Sequence, residues 1–174
     1  MNVVGVFCED IREEKSGQST LIGILPDNIN VPPPPPPTAG RAPTGLIPKM
    51  GLYVRINLNL DEDDPGETTL KLLFQDGREI VLGIISPEIF IRSKAEAKSK
   101  GLPVAGILSS AVITPFPAPN PPTLVTAVLD TKNGRVICAV LNMVLEPAKS
   151  ISSTVSPQPT SQSPPVAQAM SKQP

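Results

Sequence analysis

The sequence predicts an all-β fold: an antiparallel β-sandwich of about eight strands, Greek-key or immunoglobulin-like, with one short helix. Three observations carry that prediction. Apolar residues recur at every second position in several segments, Asp-Gly and Asn-Gly pairs separate such segments, and a single brief stretch has helical composition. Successive strand side chains point to opposite sheet faces, so a two-residue beat marks a strand with one buried and one wet side.

The first strand is read over Asn2–Cys8, with a turn region at Lys15-Ser16-Gly17 and a second strand over Ser19–Leu25. Leu52, Val54, Ile56, Leu58 and Leu60 then alternate with Tyr53, Arg55, Asn57, Asn59 and Asp61, which describes a long half-buried strand. Leu70, Leu72 and Phe74 repeat the pattern, Asp76-Gly77 supplies the residues of a tight turn, and Ile80, Leu82 and Ile84 complete a hairpin. The helix is placed at Ser93–Lys100, with Ser93 as N-cap and Gly101 as the stop signal. Val104–Thr114 is an apolar strand bounded by Pro103 and Pro115. A last hairpin joins Thr123–Asp130 to Val136–Leu145 through Asn133-Gly134. Its return strand is apolar on both faces apart from Asn142, which predicts a central strand covered on both sides.

Two composition breaks set the domain limits. Six consecutive prolines, Pro32–Pro37, open a Pro-rich loop over 32–48, and after Glu146 the chain turns to Pro, Ser, Thr and Gln. Proline fixes φ and lacks an N–H, so neither segment sits inside a sheet or helix. The expectation is one domain over 1–147 and a disordered tail over 148–174, too poor in large apolar groups to offset its ordering entropy.

Composition narrows the chemistry. The formal net charge is −1, with four Phe, one Tyr and no Trp, so neither a basic footprint nor stacking platforms for nucleic acid are present. Histidine is absent, which removes the commonest general base near neutral pH and the commonest metal ligand. The chain is therefore expected not to be an enzyme and to need no cofactor. Cys8 and Cys138 each lie in apolar runs and read as small buried hydrophobes, not as a disulfide framework. The N-terminal apolar stretch lacks a basic flank and meets Glu9-Asp10 at once, and no apolar run nears the roughly 18 residues of a membrane span. A cytoplasmic location away from membranes is expected.

Phe7-Cys8-Glu9-Asp10-Ile11-Arg12-Glu13-Glu14, then Thr20-Leu21-Ile22-Gly23-Ile24 and Ile29-Asn30-Val31-Pro32, resemble the opening of an uncharacterised family of short bacterial and phage proteins. That family begins with a strand ending in Cys, a Glu/Asp-Asp-Ile-Arg segment, and a Leu-x-Gly-Ile strand leading to Val-Pro. The likeness covers roughly the first 32 residues, and the six-proline run departs from the simpler Val-Pro connection. It implies a prokaryotic or viral source and a β-sandwich, and it supplies no activity, since none is established for that family.

Two acidic segments are the candidate sites. Glu9–Glu14 reads as a recognition loop at a strand end, with Glu9, Asp10, Arg12 and Glu13 as contact residues. A plainer account has Asp10 bonding the local backbone and Arg12 pairing with a neighbouring carboxylate. Asp61–Glu67 gathers five acids, and Asp61, Asp63 and Asp64 are the candidate calcium ligands. Their spacing is not that of an EF-hand, and a solvated turn closed by Pro65-Gly66 accounts for them equally. Arg92, Lys94, Lys98 and Lys100 form a basic patch around Glu96, read as the wet side of a helix. The polyproline run reads as a stiff spacer.

The leading expectation is a non-catalytic binding or structural module, with a protein partner or self-association, using strand-end loops or an exposed sheet edge. Alternatives are a carboxylate-based hydrolase built on the two acidic segments and a calcium-dependent ligand-binding sandwich. Geometry separates them: both alternatives need the acidic segments at one end of the sandwich, within about 6–10 Å.

Overall fold

In the computed structural model the two-residue beat resolves into two sheets that share one core. The structure describes residues 1–31, 46–117 and 123–146, with Leu46 and Pro117 described by backbone alone. The elements are β1 (Asn2–Glu13), β2 (Ser19–Ile24), β3 (Asn28–Val31), β4 (Leu46–Ile47), β5 (Met50–Asn59), β6 (Thr68–Phe74), β7 (Glu79–Ile85), α1 (Pro87–Ser99), β8 (Val104–Ile113), β9 (Phe116–Pro117), β10 (Thr123–Thr131) and β11 (Gly134–Leu145). The expected all-β architecture with one short helix is what forms. The proposed disordered tail and most of the Pro-rich loop lie outside the described residues, and the end of that loop, Leu46–Ile47, is strand.

The first sheet runs β2-β1-β5-β8, antiparallel throughout, and the second runs β3-β11-β10-β6-β7 with only the β3–β11 pair parallel. β4 and β9 form a two-stranded ladder, Ile47 opposite Phe116, just beyond the Met50–Ile113 pair that ends the β5–β8 ladder. The core joins Leu52, Val54, Ile56 and Leu58 of β5 to Leu70, Leu72 and Phe74 of β6, Val125, Ala127 and Leu129 of β10, and Leu141 and Met143 of β11. Every second residue of these strands faces inward, as the alternation requires.

The three strands not read from the sequence, β3, β4 and β9, are four residues or shorter. Four further differences have physical causes. β1 does not stop at Cys8 but runs to Glu13, because β2 continues to pair with it: Asp10 lies opposite Ile22 and Arg12 opposite Thr20.

The second concerns β7. Its pairing with β6 slips between Leu70 and Lys71, so Leu82 is an extra residue and the faces invert beyond it. Ile85, 6% exposed, points inward, whereas Ile84, expected there, is 62% exposed.

Third, α1 begins at Pro87, well before Ser93. Ser86 in extended conformation precedes a proline in the first turn, followed by Glu88. Proline at the first helical position costs no hydrogen bond, and an acid there faces the positive helix end. The expected stop at Gly101 holds: with φ +65° it lets its own N–H reach the Lys98 carbonyl and the Leu102 N–H reach the Ala97 carbonyl, a Schellman closure.

Last, β11 is central in its ladder, between β3 and β10, but its outer face is not covered: Ile137, Val140 and Val144 are exposed.

Candidate functional site

The register of β1 against β5 decides the placement of the two acidic segments. Asn2 pairs with Asn57 and Cys8 with Gly51, so the loop after β5 returns to the beginning of β1. There the Met1 ammonium forms an ion pair with Glu62. Glu9–Glu13 occupies the opposite end of the same strand. From Met1 to Asp10 a strand extends roughly 30 Å at its usual rise. The two segments therefore lie at opposite ends of the sheet, not the single end that shared catalysis or shared metal binding needs.

Glu9–Glu13 is strand and not a strand-end loop, which corrects the expected recognition loop. Asp10 accepts a hydrogen bond from the Ile11 N–H at 2.8 Å, is salt-bridged by Lys49 and lies 3.6 Å from Arg12 Nε. The Lys49 ammonium holds the Asp10 carboxyl below its ordinary range. Glu9 covers Gly23, whose φ of +61° and lack of a Cβ leave room for that side chain. Glu9 and Glu13 are exposed, so of the four candidates Asp10 is committed to local partners and Arg12 leans on it.

The loop from Asp61 to Glu67 is likewise engaged internally. Glu62 accepts from the Asn59 amide side chain at 2.9 Å, and the N-terminal ammonium holds its carboxyl below the usual range. Lys94 of α1 reaches across, donating to the Glu62 carbonyl and pairing with Asp64 Oδ1 at 2.9 Å. That lysine was expected on a wet helix face but is half-buried; Lys100 pairs with Glu96 one turn away, so the basic patch is divided. Among the described residues no three acidic or cysteine side chains converge as ligands of a metal would, and Asp61, Asp63 and Asp64 do not assemble a calcium cage.

Two open depressions flank these regions. One, of about 340 Å³, is bordered by Glu62, Asp63, Thr131 and Arg135; its Glu62 is held by Met1 and its Arg135 by Asp130. The other, about 470 Å³, runs where β1 and β2 meet β11, with Ile24, Ile137 and Cys138 on its walls. β1 and β11 come so close here that a Cβ on Gly5 would stand 3.0 Å from the Cys138 carbonyl oxygen. Burial pushes the Cys138 thiol up to about 11 and raises Cys8 as well, so both stay protonated near neutral pH; both are free.

Of the edge strands among the described residues, β8 is the longest. It pairs with β5 on one side, and among the described residues nothing pairs with the other. It is ten residues long and holds neither a charge nor a proline. Val104, Leu108 and Val112 stand exposed on its outer face, Leu108 at 58% and Val112 at 46%, while Ala105 and Ile107 are buried on the inner one. α1 packs against it with Phe90 and Ala97 in the core. Natural sheets ordinarily defend an edge of this length with lysine, proline or a bulge. The sequence showed the apolar run but not its lateral position, which depends on pairing with β5, some 50 residues away in the chain.

Among the described residues no helix is long and apolar enough to cross a membrane. Comparison of the chain with protein-family models, with curated proteins and with solved structures finds no match to any of them.

Proposed function

We propose that this chain is a non-catalytic interaction module that works by surface contact, a partner adding a strand to the free edge of β8. One observation carries the reading: a ten-residue edge strand with no charge and no proline, and with Leu108 and Val112 exposed beside it. Such an edge offers a row of backbone donors and acceptors for a second strand, and alternate apolar side chains give that strand a preferred fit. The remaining inventory supports contact over catalysis. Histidine is absent, the acidic segments sit at opposite ends of β1, and their better-placed members are already paired. On this reading the chain acts in the cytoplasm, away from nucleic acid, and has the prokaryotic or viral origin implied by its opening segment.

The test is site-specific photo-cross-linking in cells expressing the full chain, with the reactive group at Leu108 or Val112 and, as control, at Ile137 on the other sheet. Covalent adducts to protein, the chain itself included, are expected from the two β8 positions and not from the control. Adducts that are absent at β8, or equally strong at Ile137, defeat the reading.

A further inference from the structure

We infer that the strand added to β8 is β8 of a second copy, paired antiparallel about a two-fold axis through Leu108. The inference rests on the edge reading above and names its occupant. In an antiparallel pair, opposite residues lie on the same face, and a two-fold axis through one residue sets it opposite itself. Centring on Leu108 sets Val104 against Val112, Ala105 against Ala111, Gly106 against Ser110 and Ile107 against Ser109. Read outward from Leu108, the strand thus repeats itself at Val104/Val112 and Ala105/Ala111, with small Gly106 facing small Ser110 and only Ile107 against Ser109 unlike.

Two properties make this register fit. No position brings like charges together, because the strand has none. The outward residues of one copy, Val104, Leu108 and Val112, meet the outward residues of the other and continue as one apolar stripe across the seam. Gly106 is exposed, and a Cβ there would meet nothing nearer than Asn57 Oδ1 at 3.9 Å, so the outer face beside the seam is open. α1 contributes Phe90 and Ala97 to the core, and the outward residues of β8 remain in solvent. Pairing two four-stranded sheets in this way yields one continuous sheet of eight strands, four from each copy. A partner of unrelated sequence would have no reason to find this symmetry.

Sedimentation equilibrium of the full chain over roughly 1 μM to 1 mM should show reversible conversion from the 18.3 kDa chain to twice that mass. Leu108→Lys sets two ammonium groups face to face on the axis and should hold the chain monomeric; since Leu108 is exposed, its melting transition should remain cooperative. Register is read by oxidation. Leu108→Cys should form an intermolecular disulfide, because directly opposed strand residues stand within disulfide reach. Ser110→Cys should not, because it opposes Gly106. A wild-type chain monomeric throughout, a dimer indifferent to Leu108→Lys, or equal cross-linking of the two cysteine variants overturns the inference. In those cases cross-links from β8 to a different protein would leave the edge reading standing, and none at all would remove both.

Discussion

Replacing Gly51 by alanine tests the β1–β5 register on which the placement of both acidic segments depends. Gly51 is buried opposite Cys8, and a Cβ there would stand 2.8 Å from Cys8 Sγ and 2.9 Å from Ile11 Cγ1. Cys8 is wholly buried, so its sulfur has little room to retreat. Overpacking of this kind costs about 1–3 kcal/mol, against which the stiffer unfolded chain returns roughly 0.4–1 kcal/mol. The expected net loss is about 1–2 kcal/mol, read from urea unfolding at constant m-value. Cys8→Ala alone removes one buried heavy atom and should cost about 1 kcal/mol. In the double variant the new methyl occupies the space the sulfur leaves, so the combined loss should fall short of the sum by about 1 kcal/mol. Losses that add to within about 0.3 kcal/mol would mean that the two residues do not face each other. β1 would then be paired differently, and the separation of Glu9–Glu13 from Asp61–Glu67 would lose its basis.

Three further outcomes follow from the same structure. Ile85→Ala should cost about 2–4 kcal/mol in urea unfolding and Ile84→Ala less than about 0.5 kcal/mol; equal losses would contradict the bulge at Leu82. Hydrogen bonds from Arg135 and Lys71 hold the Asp130 carboxyl well below its ordinary value. A carboxyl depressed in the folded state contributes stability that is complete above its unfolded value near 3.9 and is lost as pH falls toward the folded one. Wild-type stability should therefore decline below about pH 4 more steeply than that of Asp130→Asn, and parallel pH curves would refute the pairing. Gly101→Ala, which forces a Cβ into φ +65°, should cost about 1–2 kcal/mol; an unchanged melting transition would argue against the helix closure at that residue.

The fold was legible wherever the pattern was local. Leu52, Val54, Ile56 and Leu58, or Leu70, Leu72 and Phe74, declare their inward face through spacing alone, and Gly77 and Gly101 adopt the positive φ their contexts call for. What escaped was set by distant chain. Ile84 faces outward because β6 slips against β7. Glu9–Glu13 is strand because β2 extends far enough to pair with it. Lys94 is half-buried because the loop after β5 passes over α1. The helix start, by contrast, is written locally in Ser86-Pro87-Glu88, a stronger start signal than Ser93. The candidate site follows the same division: the charge-free composition of β8 is plain in sequence, and its position at an edge is a property of the assembled sheet.

The two sheets treat solvent differently, and this bears on what self-pairing through β8 can build. On the outer face of the second sheet, Glu79 of β7, Lys71 of β6, Asp130 of β10 and Arg135 of β11 form ion pairs across four adjacent strands, Lys71–Asp130 at 2.8 Å and Arg135–Asp130 at 2.6 Å. Val128, flanked in register by Lys71 and Ile137, is 1% exposed among them. Each exposed pair contributes little stability, but the group keeps charge on that face. The other edges are also guarded. β7 begins at Glu79 and bulges at Leu82, β3 is four residues long, and β2 is interrupted by the left-handed Gly23 beneath Glu9. Among the described edge strands, β8 alone is long, regular and uncharged. An edge that pairs with itself about a two-fold axis is consumed in doing so, and no equivalent edge remains to carry the sheet further. Association through β8 should therefore stop at two copies: a closed dimer whose mass reaches a plateau with concentration, and not a filament whose mass keeps rising.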